Sequence, residues 1–135
     1  IASDGAVYNL DDAREGYLAH PRSFGCFPRV LSRYVREKNI ISLEEAIKKM
    51  TALPALKIGL SYRGIIRQGF FADITIFNID TVKDLASFEN PFQYAQGIHS
   101  VIINGQIALS RGKIPSPQEM SLGNKNQGLG QLITR

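Results

Sequence analysis

The sequence predicts an α/β chain with helices first and strands after. Three observations point there. Two stretches repeat apolar residues at helical spacing, a later run is dense in β-branched and aromatic residues, and an Asn-Gly pair separates two short apolar segments. Residues 1–26 read as a strand end followed by a long loop, because Gly5, Gly16, Gly25, Pro21 and the pair Asp11-Asp12 interrupt any period. From there Phe27, Val30, Leu31, Tyr34 and Val35 fall at i, i+3, i+4, i+7 and i+8, the spacing of one buried helical stripe. Pro28 suits the first turn, where its missing N–H has no intrahelical partner to lose.

Asn39 offers a stop, and Ser42-Leu43-Glu44-Glu45 is a capping box that starts a second helix. Its apolar face is Leu43, Ala46, Ile47 and Met50, while Glu44/Lys48 and Glu45/Lys49 lie on the wet face at i, i+4. Pro54 stops this helix or starts one further turn ending at Gly59. After Gly64 the period becomes that of strands: Ile65-Ile66-Arg67, then Phe71 to Ile79, apolar on both faces as in a central strand. Asp80 to Tyr94 reads as a long connection. Ser100–Ile103 and Gln106–Leu109 then flank Asn104-Gly105, a pair that accepts the positive φ angles of a two-residue hairpin turn. Residues 115–135 are Gly, Gln, Asn, Ser and Pro with isolated apolar residues, a flexible tail.

Composition narrows the function classes. With 44% hydrophobic and 21% charged residues the chain is globular in kind. The longest run free of charges and prolines, 92–110, holds Gln, Asn, His, Gly and Ser, so no membrane span is expected. The opening Ile1-Ala2-Ser3-Asp4-Gly5 lacks a basic leader and a long apolar segment, which argues against a secretory signal. Cys26 is the single cysteine, so no internal disulfide forms and a reducing cytoplasm fits. Cys26, His20 and His99 are too few for a tetrahedral zinc site. Arg29, Arg33, Arg36 and Lys38 line one helix, and the net charge is +4 with a pI of about 9.4. That face reads as a solvated basic surface rather than a nucleic-acid site, since Glu37 interrupts it and no nucleic-acid-binding signature accompanies it.

No phosphate-binding loop, dinucleotide fingerprint or nucleophile elbow is present. An ordered set of short motifs carries the reading further: Ser3-Asp4-Gly5, His20-Pro21-Arg22, Phe27-Pro28-Arg29-Val30-Leu31, Thr51-Ala52-Leu53-Pro54-Ala55, Arg63-Gly64, Gly69-Phe70-Phe71-Ala72-Asp73-Ile74 and Val101-Ile102-Ile103-Asn104-Gly105. Together they resemble the C-terminal part of N-acyl-D-amino-acid deacylases (D-aminoacylases) of the amidohydrolase superfamily, over roughly residues 1–114. The resemblance implies a C-terminal fragment of a (β/α)8 barrel plus strands of the accompanying small β-sandwich. Residues 1–59 would hold the last barrel strand, an active-site loop and C-terminal helices, residues 60–114 the sandwich strands with the Asn104-Gly105 hairpin, and 115–135 the tail. A whole barrel takes about 250 residues. The zinc-binding His-x-His of the family is absent from the sequence. Zinc is therefore expected in the complete enzyme and none in this chain alone, which should be inactive in isolation and should meet either the missing N-terminal part or a second copy of itself.

The same resemblance implies that Asp4 is the general acid/base, taking a proton from the metal-bound water and returning it to the departing amine. The plain alternative is a turn in which Asp4 bonds a nearby amide. His20 and Arg22 lie in the following loop, where Arg22 is suited to hold the carboxylate of an acyl amino acid by two parallel hydrogen bonds; an arginine tied within its own loop, beside a packing histidine, is the alternative. Cys26 reads as a small hydrophobe and His99 as a strand residue. The activity implied is hydrolysis of N-acyl-D-amino acids to a carboxylate and a free D-amino acid. A noncatalytic interaction module or truncated remnant, and more remotely a basic nucleic-acid-binding domain, are the competing classes.

Overall fold

The computed structural model describes residues 1–13 and 15–116. The chain divides into two compact units, Ile1–Met50 with Asn78–Gly97, and Thr51–Phe77 with the described residues from Ile98 onward. The expected tail lies, from residue 117, outside the described residues.

In the first unit residues 1–9 form no strand, contrary to the strand end expected there. A strand exists only through a partner's ladder, and no other described segment pairs with this one. It is instead pinned by single bonds, the Ile1 ammonium to Lys49 O at 2.9 Å and the Cys26 thiol to Ala2 O at 3.7 Å. After a short 3-10 turn at Asp11–Ala13, helix α1 runs over Arg22–Arg29 and continues as a π-helical stretch, Val30–Glu37. The helix thus starts five residues before Phe27, and Pro28 lies inside it. Proline removes the N–H that would reach Phe24 O, and its ring crowds that carbonyl, so the wider π spacing follows at once. The wider spacing also rotates the expected stripe: Leu31, Ser32 and Val35 are buried, but Phe27 and Tyr34 stay exposed.

Helix α2, Leu43–Met50, follows its capping signal, with Glu45 N–H donating to Ser42 Oγ at 3.2 Å. The Glu45 carboxylate turns to Lys49 at 3.3 Å and Lys48 at 3.8 Å. Ala46 of α2 is fully buried where the helix packs on the π-helical stretch.

The connection 78–97 has no helix or strand ladder of its own, yet it supplies much of this unit's core. Val82 is 0% exposed and Ala86 is buried. Its ends close on each other through Asn78 N–H to Gly97 O at 3.0 Å and a two-bond bridge between Lys83 and Gln96. Gly97 adopts φ +79, and a Cβ there would lie 2.5 Å from Val82 Cα and N, so only glycine fits the crossing.

The second unit holds α3, Ala52–Lys57, and a three-stranded antiparallel sheet of β1 (Ile74–Phe77), β2 (Ile98–Ile103) and β3 (Gln106–Ser110). Pro54 sits in the first turn of α3, and the helix closes with Gly59 N–H to Leu56 O and Leu60 N–H to Ala55 O. The strand order β1-β2-β3 makes β1 an edge and β2 the centre, so the central place expected for 71–79 is corrected. Only four of those residues pair, and Ile76 is half exposed. Ile65-Ile66-Arg67 forms no strand either; Phe70 N–H returns to Arg67 O in a turn and Ile66 is 86% exposed. The hairpin is as expected, with Asn104 at φ 51 and Gly105 at φ 79 between β2 and β3.

Candidate functional site

The site is built in the first unit, on the Ser3-Asp4-Gly5 turn and the start of α1. Ser3 Oγ accepts the Gly5 N–H at 3.3 Å, and Asp4 between them takes φ +50, a left-handed conformation that aspartate tolerates better than most residues. Serine, not Asp4, therefore bonds the turn amide. The Asp4 carboxylate reaches Arg22, with Nη2 to Oδ2 at 3.1 Å. A Cβ on Gly5 would lie 2.9 Å from Ser23 Cα, so glycine lets the turn lie directly against the first residues of α1.

His20 precedes the helix and its Nδ1 accepts the Arg22 N–H at 3.1 Å, satisfying one of the amides that a helix start leaves without an intrahelical partner. Its ring meets Phe88 edge-on at 5.0 Å. The three residues singled out in the sequence, Asp4, His20 and Arg22, are thus brought together. His20 and Arg22 line a cleft of about 300 Å³ that also includes Cys26, Arg29, Tyr34 and Phe88. Asp4 stands at its edge through Arg22, 88% exposed, while Arg22 is 46% exposed.

Sequence reasoning missed the carboxylate in the cleft wall. Asp84, 14% exposed, accepts from Arg29 Nη1 at 3.0 Å and from Ser32 Oγ at 3.4 Å. Arg36 Nη1 donates to Ile79 O at 2.7 Å and Val82 O at 2.8 Å. Arg29 and Arg36 are therefore bonded to the 78–97 loop, while Arg33 and Lys38 stay exposed, so the solvated basic face expected on this helix holds only in part. The partners of Arg29 and Arg36 lie 43 to 55 residues away in sequence, and nothing in the polar stretch around Asp84, which also holds Asp80, Lys83 and Glu89, singles that carboxylate out.

Cys26 is spent on Ala2 O, and His99, in β2, bonds Ser100 Oγ at 2.8 Å. Among the described residues no group of three or more His, Cys, Asp or Glu side chains is arranged to hold a metal ion. With Asp4 paired to a guanidinium and His20 bonded to the Arg22 amide, the residues of this cleft do not fit a zinc site of their own. No helix among them is long and apolar enough to cross a membrane.

A family model described as "Amidohydrolase family" matches residues 6–109, and the chain belongs to that family. Within it, the chain is 50% identical over 105 residues to a D-aminoacylase of Alcaligenes xylosoxydans xylosoxydans, a match covering 78% of this chain and 20% of that protein. An N-acyl-D-aspartate deacylase of the same organism is 49% identical over 87 residues, covering 64% and 18%. Among solved structures, the N-acyl-D-glutamate deacylase of Bordetella bronchiseptica, crystallised with zinc and a phosphonate inhibitor that mimics the tetrahedral intermediate, superposes with a TM-score of 0.67 at 40% identity, over 72% of this chain and 21% of that one. The chain thus spans about a fifth of the length of these relatives.

Proposed function

We propose that this chain is the C-terminal segment of a zinc-dependent amidohydrolase that hydrolyses N-acyl-D-amino acids to a carboxylate and a free D-amino acid. The observation that carries this reading is the 50% identity to a D-aminoacylase over 105 residues, beside a family match over residues 6–109 that includes the loop of His20 and Arg22. In this reading residues 1–59 contribute the last strand, loop and helices of a (β/α)8 barrel, and the β1-β2-β3 sheet within 60–114 belongs to a small β-sandwich completed elsewhere. The metal-holding half lies in the remaining four-fifths of the relatives' length, and a lone thiol fits a reducing cytoplasm.

Asp4 is the proton-transfer group. As water adds to the amide carbonyl carbon, the exposed carboxylate takes a proton from it; as the C–N bond breaks, the same proton goes to the leaving nitrogen. Arg22 meets Asp4 as an ion pair, and the N–H donors of its guanidinium hold the substrate carboxylate at the cleft edge beside His20. The test is hydrolysis of N-acetyl-D-amino acids by the polypeptide in which this segment is joined to a metal-holding half. Release of D-amino acid in preference to the L-enantiomer is expected. Absence of D-amide hydrolysis by the zinc-loaded polypeptide would overturn the reading.

A second reading, a noncatalytic interaction module, is favoured by one observation: Val7 and Leu18, between Asp4 and His20 in the sequence, are 99% and 94% exposed. The 135-residue chain alone is expected to release no amino acid and to retain no zinc, because the described residues include no group arranged to hold a metal ion.

A further inference from the structure

We propose that Asp84 is a positioning residue for Arg22, holding the start of α1 against the 78–97 loop so that the guanidinium is set to take the substrate carboxylate; this rests on the deacylase reading above. Helix α1 has little of its own to fix its first turn. It is eight residues long and contains Gly25 and Pro28, the two poorest helix formers, and Pro28 has no N–H to return to Phe24 O. A helix so short and so interrupted takes its position from what it packs against.

What it packs against is the 78–97 loop. Gly25, Arg29 and Ser32 follow Arg22 at i+3, i+7 and i+10, along one face, and Asp84 meets all three. Its Oδ2 accepts from Arg29 Nη1 at 3.0 Å, its Oδ1 accepts from Ser32 Oγ at 3.4 Å, and a Cβ added to Gly25 would stand 3.1 Å from its Cβ. A buried glycine inside a helix costs stability unless a close approach requires it, and the approach of Asp84 is that requirement. Ser32 is 2% and Asp84 14% exposed, so the carboxylate is enclosed by the chain's own residues, and further chain packed around them leaves that enclosure in place. The loop is also held beside Asp84, where the Lys83 and Gln96 backbones exchange bonds of 3.2 and 2.9 Å. With Phe24 on Phe92 at 5.7 Å and Arg36 on the carbonyls of Ile79 and Val82, the loop grips the helix from Phe24 to Arg36.

The consequence falls on substrate choice. Two parallel bonds from a guanidinium to a carboxylate demand a fixed relative orientation, and a misplacement of about 1 Å in a positioning group can cost about 10²-fold. Arg22 lies less than one turn from Gly25, so releasing Asp84 lets the first turn of α1 shift and the guanidinium with it. The loss is confined to substrates that carry the carboxylate.

The experiment compares, in the complete zinc-loaded enzyme, kcat/KM for an N-acetyl-D-amino acid with kcat/KM for its C-terminal carboxamide; the ratio is the preference for the carboxylate. Thermal melting is followed on the same preparations. Arg22→Gln sets the scale of the loss. Asp84→Asn keeps the size of the side chain and an acceptor for Ser32 but gives up the ion pair with Arg29. It should lower the preference about five- to tenfold and add no further loss on the Arg22→Gln background, because a positioning residue has nothing to act on once the guanidinium is gone. Equal losses on both substrates, a lowered melting temperature with the preference unchanged, or multiplicative losses in the double variant would overturn the proposal and leave the deacylase reading intact. A preference untouched by Arg22→Gln would remove the carboxylate role of Arg22, and this assignment with it. Hydrolysis of no D-amide by the unsubstituted enzyme would overturn the deacylase reading and the assignment together. Gly25→Ala keeps every charge and favours the helix, so it serves where Asp84→Asn fails to fold: its Cβ pushes on Asp84, a loss of preference in the same direction is expected, and an unchanged preference counts against the proposal.

Discussion

Asp73 ties together the second unit, and its removal is the most quantitative test of that unit's packing. Its carboxylate accepts from Arg63 Nη1 through Oδ2 and from the Asn104 N–H at 2.7 Å through Oδ1, so one side chain joins the segment before β1 to the turn of the β2-β3 hairpin. Arg63 is 12% exposed, donates a second bond to Asn104 Oδ1 at 2.6 Å and lies 4.1 Å above the Phe71 ring. Asp73→Ala removes a charge-assisted bond of about 1.5–3 kcal/mol and a backbone bond of about 1 kcal/mol. It also leaves the Arg63 charge half paired in a site with little water. Asp73 is itself 33% exposed, which lets solvent offset part of this. The net loss expected is about 2–4 kcal/mol.

Urea unfolding of the chain at low concentration, followed by far-UV circular dichroism, measures it. With an m value of about 1.5–2 kcal/mol/M the midpoint should fall by about 1–3 M at unchanged slope. Asp73→Asn, which keeps one acceptor oxygen, should lose about half as much. A loss within about 0.5 kcal/mol, as for an ordinary surface substitution, would refute the claim that this network joins the hairpin to the segment before β1.

Three further outcomes follow from the structure. Gly97→Ala places a Cβ against Val82 backbone at 2.5 Å in a left-handed conformation, and should cost about 2–5 kcal/mol by chemical denaturation, strain and overpacking combined; a loss under about 1 kcal/mol would show that the 78–97 loop is not tightly closed. The Glu89 carboxyl is held below its usual range by a backbone hydrogen bond and then by Ser87, so its small stabilising contribution is complete above the ordinary glutamate pKa and is lost as pH falls through the lowered value. A carboxyl NMR titration should show the low midpoint, and Ser87→Ala should move it up; a midpoint unchanged by that substitution would remove Ser87 as a cause. The isolated chain, with Val7, Leu18, Leu56, Ile66 and Phe88 at 75% exposure or more, should form dimers or larger species in sedimentation; a monomer at high concentration that binds no apolar dye would contradict this.

What the sequence revealed and what it hid divide along the distance over which each feature is determined. Helix α2 was legible because its stop, cap and apolar face lie within about a dozen residues, and the hairpin because Asn104 and Gly105 carry the turn geometry in their own φ angles. The start of α1 was hidden: the signals are Pro21, whose φ of −51 already fits a helix, and His20, whose imidazole serves the Arg22 amide, while Pro21 and Gly25 looked like breakers and Pro28 looked like a first-turn residue. The arginines of that helix read as solvated because Asp84 and the carbonyls of Ile79 and Val82 approach only once the chain folds back. A strand's place in its sheet is likewise set by partners, so a doubly apolar run looked central although it pairs on one side only. At the site, Asp4, His20 and Arg22 were nameable from an ordered set of motifs, but the 3.1 Å ion pair joining the first to the last, 18 residues apart, belongs to the fold.

The most direct test of the central claim is the turnover of Asp4→Asn in the complete enzyme on an N-acyl-D-amino acid, with bound zinc and melting temperature measured on the same preparation. Asparagine keeps the size of the side chain and an oxygen facing Arg22 but cannot take a proton from water. A fall in kcat of about 10²- to 10⁴-fold is expected, with KM, zinc content and melting temperature close to wild type. A variant that carries its full zinc and turns over at near the wild-type rate would contradict it.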